Sequence, residues 1–482
     1  MSAGRRARAL VALVQVLGLA VWFSASAVQP ELRARWGLGT ATGVWLTTSV
    51  QLGFAAGAVV SAVLTLADRV APHRLLAGGA AAAAACTLAL AAVADGPVAA
   101  LVLRTLTGVF LALVYPVGMK IMTSWSDGSR RARDLGVLVG ALTVGSALPH
   151  LIGGLPGLPW RGVLAGAALC GAVAAALAWW CVRPGPALAP APPPDTGYAL
   201  RLLREPGPRL VVLGYLGHMW ELYALWTWLG AALAGGDPGP AEHLTVFVAA
   251  GLGGAAGCVL GGRAADRVGR VPVVAAALAL SGLCCAVSPL LLGAAPAVTT
   301  AFCALWGAAA VADSAVLTTA TIEIADPRYT GTALTVQTAL GFLLTVAAIA
   351  TVPLVADLAG WRGALVVLAA GPALGLPAVL ALRRHLPAPA VAAAVAAGRG
   401  PGPVDPPTVE LRRAAPDDAR TAPLALPARD GAPTVELYRL RRAARPGPDP
   451  SGFADRVARA LPARAPGAPA RPAYGPTDRP AR

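Results

Sequence analysis

Leu75–Ala94 reads LLAGGAAAAAACTLALAAVA, a run with no charged side chain. About 20 apolar residues in a helix, each rising 1.5 Å, cross the hydrocarbon core of a bilayer. The run is bounded by Arg74 on one side and Asp95 on the other, so it has the length and flanks of a transmembrane helix. Ala9–Val28, Gly162–Cys181 and Val271–Gly293 are runs of the same kind. Across the whole chain 56% of residues are hydrophobic and only 13% charged. A soluble domain carries roughly 25% charge. The hydropathy pattern predicts twelve spans: 9–28, 43–66, 75–94, 98–121, 135–155, 162–182, 209–233, 243–262, 272–293, 298–322, 332–355 and 363–383. Arg5, Arg6 and Arg8 precede the first run as they would in a signal peptide. That run outlasts a usual apolar signal region and lacks a clear cleavage site, so it is read as a retained first helix.

Arginine placement sets the expected orientation. Alternate loops hold Arg69 and Arg74, then Arg130, Arg131 and Arg133, then Arg183, Arg201, Arg204 and Arg209, then Arg263, Arg267 and Arg270, then Arg328. The opposite loops hold only Arg33, Arg35, Arg161 and Arg362. Both termini are therefore expected in the cytoplasm, with the chain multi-pass in the cell membrane. The net charge of +15 does not imply nucleic acid, because the arginines sit in short loops and in the C-terminal tail and form no continuous basic face. The seven cysteines fall in apolar runs without a CxxC and read as small core residues.

The chain repeats at a distance of about 200 residues. Leu-Ala-Asp68-Arg69 after span two matches Ala-Ala-Asp266-Arg267 after span eight. Trp160-Arg161-Gly162 matches Trp361-Arg362-Gly363, and Ala141-Leu-Thr-Val matches Ala333-Leu-Thr-Val. The same order at nearly one offset predicts two pseudo-symmetric six-helix halves, 1–183 and 209–385, joined by a linker at 184–208. Beyond 386 the chain turns rich in Pro, Ala, Arg and Gly. Such a tail cannot bury enough apolar surface to fold alone and is expected to be disordered. It repeats Pro407-Thr-Val-Glu-Leu-Arg as Pro433-Thr-Val-Glu-Leu-Tyr, which is either drift in biased sequence or a docking or phosphorylation motif on Thr408 and Thr434.

Gly262-x-x-x-Asp266-Arg267-x-Gly269-Arg270 follows span eight, with a degenerate copy around Asp68 and Arg69. Arg104-x-x-x-Gly108 lies in span four, and Gly145-x-x-x-Pro149-x-x-x-Gly153-Gly154 in span five. In these motifs the chain resembles the major facilitator superfamily over residues 9–385: the first is similar to that family's cytoplasmic loop signature, the second to its buried arginine motif, the third loosely to the motif of its antiporters. The resemblance implies an all-α membrane transporter fold, with spans one, four, seven and ten lining a central cavity. A carboxylate at Asp68 or Asp266 can pair with arginines and with the partial positive charge of a facing helix N-terminus. Asp68, Arg69, Asp266, Arg267, Gly269 and Arg270 are therefore the expected gating residues, biasing a two-state equilibrium.

Ionisable groups inside a membrane are costly, so they mark candidate sites. Span seven carries His218, Trp220, Glu221 and Tyr223; span ten carries Asp313; span four carries Arg104, Tyr115 and Lys120; span one carries Trp22, Ser24 and Ser26. His218 and Glu221, three apart, share a helix face. Glu221 is the first choice for protonation, with His218 as its exchange partner or its static hydrogen-bonding partner. Asp313 is second, with Arg104 as its long-range partner. The expected cavity set is Glu221, His218, Asp313, Arg104, Tyr115, Trp22, Ser26, Trp220 and Tyr223. Gln51 is expected to make a structural hydrogen bond.

These features point to a secondary transporter that works by alternating access, proton-coupled and acting as a monomer in the lipid bilayer on a small molecule or ion. Two cargoes stay open: efflux of a small organic compound, or uptake of an organic or inorganic solute of the nitrate or cyanate kind. No catalytic cluster, phosphate-cradling loop, cofactor or metal set is seen, so an enzyme is not expected. A non-transporting sensor or scaffold using the tail is the remaining alternative.

Overall fold

The computed structural model describes residues 3–64, 66–126, 131–155, 157–188, 197–326 and 329–386. Among these, every regular element is helical. The expected tail, with Thr408 and Thr434, lies outside the described residues, as do Arg130, Arg328 and the side chain of Asp68.

Nine helices among the described residues are long and apolar enough to cross a membrane. Eight match expected spans two to six and eight to ten: Thr42–Val63, Pro72–Val93, Pro97–Ser124, Arg131–Gly153, Trp160–Trp180, Pro240–Val268, Arg270–Leu291 and Pro296–Ile324. The ninth, Thr330–Arg384, turns at Gly360 (φ 72°) and so holds the two rods expected as spans eleven and twelve. Spans one and seven are also helical, as Ala3–Leu19 and Pro206–Ala234, but length and apolarity alone do not assign them. Span one breaks after 17 residues. Span seven has 29 residues, but His218, Glu221 and its several Tyr and Trp residues depress its mean hydropathy.

Each half is knit by its own helix pairs. Spans three and six, and two and four, pack together in the first half. Spans seven, eleven and twelve, and eight and ten, pack together in the second. The halves meet along two seams, span two against eleven and span five against eight. Glycine allows the closest approaches. A Cβ on Gly53 or Gly57 would overlap the carbonyls of Thr105 and Val109 in span four, at under 3.0 Å. A Cβ on Gly253 or Gly257 would do the same to Ala304 and Ala308 in span ten. Gly108 and Gly307 press back on the carbonyls of Val50 and Ala249. The internal repeat thus extends to backbone contacts. At the seam between halves, Gly136 abuts the Cys258 carbonyl and Gly262 the Ala132 carbonyl.

Several helices are interrupted where the site lies. Span four breaks between Leu111 and Tyr115, because Pro116 has no N–H and its ring would meet the carbonyl of Ala112. Span ten is divided at Asp313. Span one unwinds after Leu19 and resumes as Ser24–Ala27. Span eight carries a π-helical segment, Phe247–Gly253, of the kind often found at functional sites. The Thr143 hydroxyl of span five donates across the seam to the Gly251 carbonyl of that segment, at 3.3 Å. Part of the expected linker is a short helix, Tyr198–Arg204, rather than plain loop. Its Tyr198 ring stacks on Tyr329 at 4.7 Å, and its hydroxyl accepts from the Asp326 N–H at 2.9 Å.

Candidate substrate and proton site

Six aromatic rings close the middle of the molecule. Trp22, Phe23 and Phe54 come from the first half; Tyr223, Trp226 and Phe342 come from the second. Centroid separations run from 4.4 Å for Phe54–Phe342 to 5.8 Å for Phe23–Trp226. Trp22 is fixed by donating its indole N–H to Gln51 at 3.2 Å, and Ser26 shares a 2.7 Å hydrogen bond with Thr47. Gln51 therefore has the structural role its position suggested. Beside the rings lies a cavity of ≈ 10 Å³, lined by Tyr115, Tyr215, Tyr223, Trp226, Ser314 and Phe342 among others. That is room for about one water. Trp226 Nε1 is buried at its wall without a partner.

The ionisable groups of span seven do not pair as the i, i+3 spacing suggested. His218 Nδ1 lies 2.8 Å from Asp313 Oδ1, and both side chains are 1–2% exposed. Glu221 instead accepts from Trp306 Nε1 at 2.7 Å, Ser281 Oγ at 2.8 Å and Cys285 Sγ at 3.4 Å. Three residues at 3.6 per turn place two side chains about 60° apart. That angle sends His218 toward the break in span ten and Glu221 into the gap between spans nine and ten. None of the three ionisable groups lines the cavity directly. They reach it through neighbours: Ser314, next to Asp313, lines the cavity, as does Tyr215, 5.9 Å from the His218 ring.

Arg104 is also not the partner of Asp313. It is fully buried and turned toward the unwound part of span one. It donates to the carbonyls of Val21 (2.9 Å), Trp22 and Leu46 (3.4 Å) and to Ser24 Oγ (3.2 Å). The break in span one frees carbonyls, and the guanidinium takes them up. No carboxylate pairs with it among the described residues. Trp220 departs from expectation as well. It is half-buried, and its indole donates to the Val367 carbonyl of the twelfth rod at 3.2 Å, away from the cavity. Tyr115 and Tyr223 do line the cavity.

The loop motif is tied across the seam. Asp266 Oδ2 accepts from the Arg133 N–H at 3.2 Å, at the start of span five, where the helix carries partial positive charge. Asp266 Oδ1 is 3.1 Å from Arg270 Nη1, and Arg270 Nη2 is 2.8 Å from Glu323 Oε1. Gly269 sits at φ 96°, which L side chains rarely adopt, so the motif needs glycine there. Arg267 and Arg69 are exposed and make no ion pair among the described residues. Nearby, Arg8 pairs with Asp134 at 3.7 Å and donates to the Trp125 carbonyl at 2.7 Å. Glu323, Arg8 and Asp134 carried no motif that would have marked them.

The opposite end is tied too. His150 of span five and His243 of span eight meet with Nδ1 atoms 3.2 Å apart, though they are 93 residues apart in sequence. Arg33 and Asp237 approach to 3.7 Å. With Ser26 and Gln29 they border a cavity of ≈ 30 Å³. Both ends and the centre are thus closed in this conformation.

A comparison with curated proteins finds no match. A family model described as Major Facilitator Superfamily matches residues 11–349. That stretch takes in most of the first half, the second half as far as span eleven, the glycine-lined pairs and every buried ionisable group above, so the chain belongs to the Major Facilitator Superfamily.

Proposed function

We propose that the chain is a proton-coupled secondary transporter that moves a small organic solute by alternating access between its two halves. The observation that carries this reading is the His218–Asp313 pair, almost fully buried behind Tyr215 in the wall of the inter-half cavity. An ion pair in an apolar interior is a poor way to gain stability. A pair that gains and loses a proton during a cycle has a reason to be there. Glu221, held by three donors on the far side of span seven, positions that helix and is the second candidate for protonation.

The cavity supports an organic solute over a nitrate-like anion. Its lining is aromatic and apolar, and the unpartnered Trp226 N–H would suit a solute with a hydrogen-bond acceptor. Arg104, the cation an anion would need, is occupied by span-one carbonyls. Asp266, Arg270 and Glu323 would hold one end closed and release it on opening. By arginine distribution that end faces the cytoplasm.

The test is a panel of solutes in proteoliposomes loaded with a pH-sensitive dye. Wild type is expected to move protons with one solute class, and Asp313→Asn to bind that solute yet move no protons with it. Proton movement by Asp313→Asn at the wild-type rate would remove the pair from the mechanism.

A further inference from the structure

Spans three and six meet at the end that carries Arg270, and what they present there lies outside the cavity and the seam. Span three opens Ala71-Pro72-His73-Arg74, and its cap residue Ala71 supplies no side-chain hydrogen bond. Pro72 has no N–H and the Arg74 N–H already donates to the Ala71 carbonyl at 2.9 Å, so what this 22-residue helix presents is the partial positive charge of its start. The Arg74 guanidinium lies over the Trp179 ring, 5.8 Å from its centroid. On the other side of the same tryptophan, Arg183 Nη1 donates to the Trp179 carbonyl at 3.2 Å and to the Val182 carbonyl at 2.7 Å. The Trp125 indole donates to the Arg183 carbonyl at 2.9 Å, which holds this loop in place. Arg74 and Arg183 thus both contact Trp179, and His73 precedes Arg74 in the chain. His73 Nδ1 is shielded and has no hydrogen-bond partner.

Both arginines are exposed, and no carboxylate pairs with either among the described residues. Trp179 and Trp180 are 50% and 70% exposed at the end of span six, where indoles favour the level of lipid headgroups. Farther along the same two helices Leu88, Leu169 and Val173 are exposed apolar side chains. Guanidiniums suit a phosphate, the indoles match the glycerol level, and the apolar strip matches acyl chains. Basic pockets between helices at a membrane surface hold anionic headgroups in this way.

We propose that Arg74, Arg183, His73 and Trp179 form a binding site for the phosphate headgroup of an anionic phospholipid, whose chains lie along spans three and six. The site is separate from the solute cavity, so its occupancy would bear on stability and not on solute choice.

The full chain, purified in detergent, is titrated with short-chain phosphatidylglycerol, with the matching phosphatidylcholine and with inorganic phosphate, reading affinity and melting temperature. Phosphatidylglycerol is expected to bind and raise the melting temperature, and the other two to do neither at the same concentrations. Arg74→Gln with Arg183→Gln is expected to weaken phosphatidylglycerol binding on the order of 30-fold, two charges' worth at the membrane surface. The single variants should each weaken binding by roughly 5-fold, one charge's worth. Arg383→Gln with Arg384→Gln, distant in sequence, is the control and should bind as wild type. Unchanged phosphatidylglycerol binding in the double variant overturns the proposal, as does equal binding of phosphatidylcholine. Inorganic phosphate reproducing the full stabilisation would show a free-anion site and overturn the lipid assignment.

Discussion

Replacing either member of the His218–Asp313 pair removes the same contact, yet the two losses should differ several-fold in free energy. Both groups are 1–2% exposed, so neither orphan can be rescued by water. After Asp313→Asn, His218 needs no counter-charge, because an imidazole with an ordinary titration point near 6.5 is already mostly neutral at pH 7.5. The cost is then one altered hydrogen bond, about 1–2 kcal/mol. After His218→Asn, the Asp313 carboxylate keeps no cation. It stays charged in an apolar interior, or it binds a proton. Removing one partner of a buried ion pair costs about 3–5 kcal/mol, because the other charge is left uncompensated. His218→Asn should therefore be the less stable variant by about 3 kcal/mol at pH 7.5. The gap should narrow by about 1.4 kcal/mol for each pH unit lowered, since the folded variant binds a proton that the unfolded one releases. Reversible unfolding in mixed detergent micelles, run at several pH values on both variants, measures it. Equal destabilisation at all pH values, or the reverse order, would refute the assignment of Asp313 as the charge that His218 offsets.

Two other perturbations test the closed conformation. Gly257→Val places a branched side chain against the Ala308 carbonyl, and Gly57→Val does the same against Val109 in the first half. Each should destabilise by about 1–3 kcal/mol or more, by the same unfolding assay. At the other end, two imidazoliums cannot rest 3.2 Å apart, and the flanking charges, Arg33, Asp237 and Glu242, include one cation already. Hydrogen exchange in 236–246, corrected for intrinsic rates, should rise as the pH falls from 7 to 5 in wild type, and rise less steeply in His150→Gln, where one of the two imidazoles is gone.

Much of the fold was legible because membranes impose long apolar runs, and because the duplicated loop and Trp-Arg-Gly markers survive at one offset. Spans one and seven are expected from the sequence and are helical, yet helix length and apolarity alone do not assign them, because one breaks after Leu19 and the other carries His218 and Glu221. The polar residues themselves were visible in sequence, but their partners were not. His218 and Glu221 share a face, and a 60° difference was enough to give them different neighbours, which no spacing rule resolves. Histidines 93 residues apart looked scattered until spans five and eight were laid side by side. Arg104 announced itself as a buried cation. That it serves span-one carbonyls depends on a break in that helix, which carries no proline to foretell it.

The repeat also separates what the architecture requires from what the chemistry requires. Gly53, Gly57 and Gly108 recur as Gly253, Gly257 and Gly307, with the same carbonyl contacts, so close packing of these pairs belongs to both halves. Spans four and ten both break near equivalent positions, at Ala112–Val114 and at Asp313. In the first half proline makes the break, and the buried charge nearby is a cation held by neutral carbonyls. In the second half the break itself presents a carboxylate, paired with His218. Shared geometry with opposite buried charge is the asymmetry on which the proposed proton coupling through the second half rests. On this argument, neutralising Asp313 alters the second half's wall and leaves the Arg104 scaffold of span one as it stands.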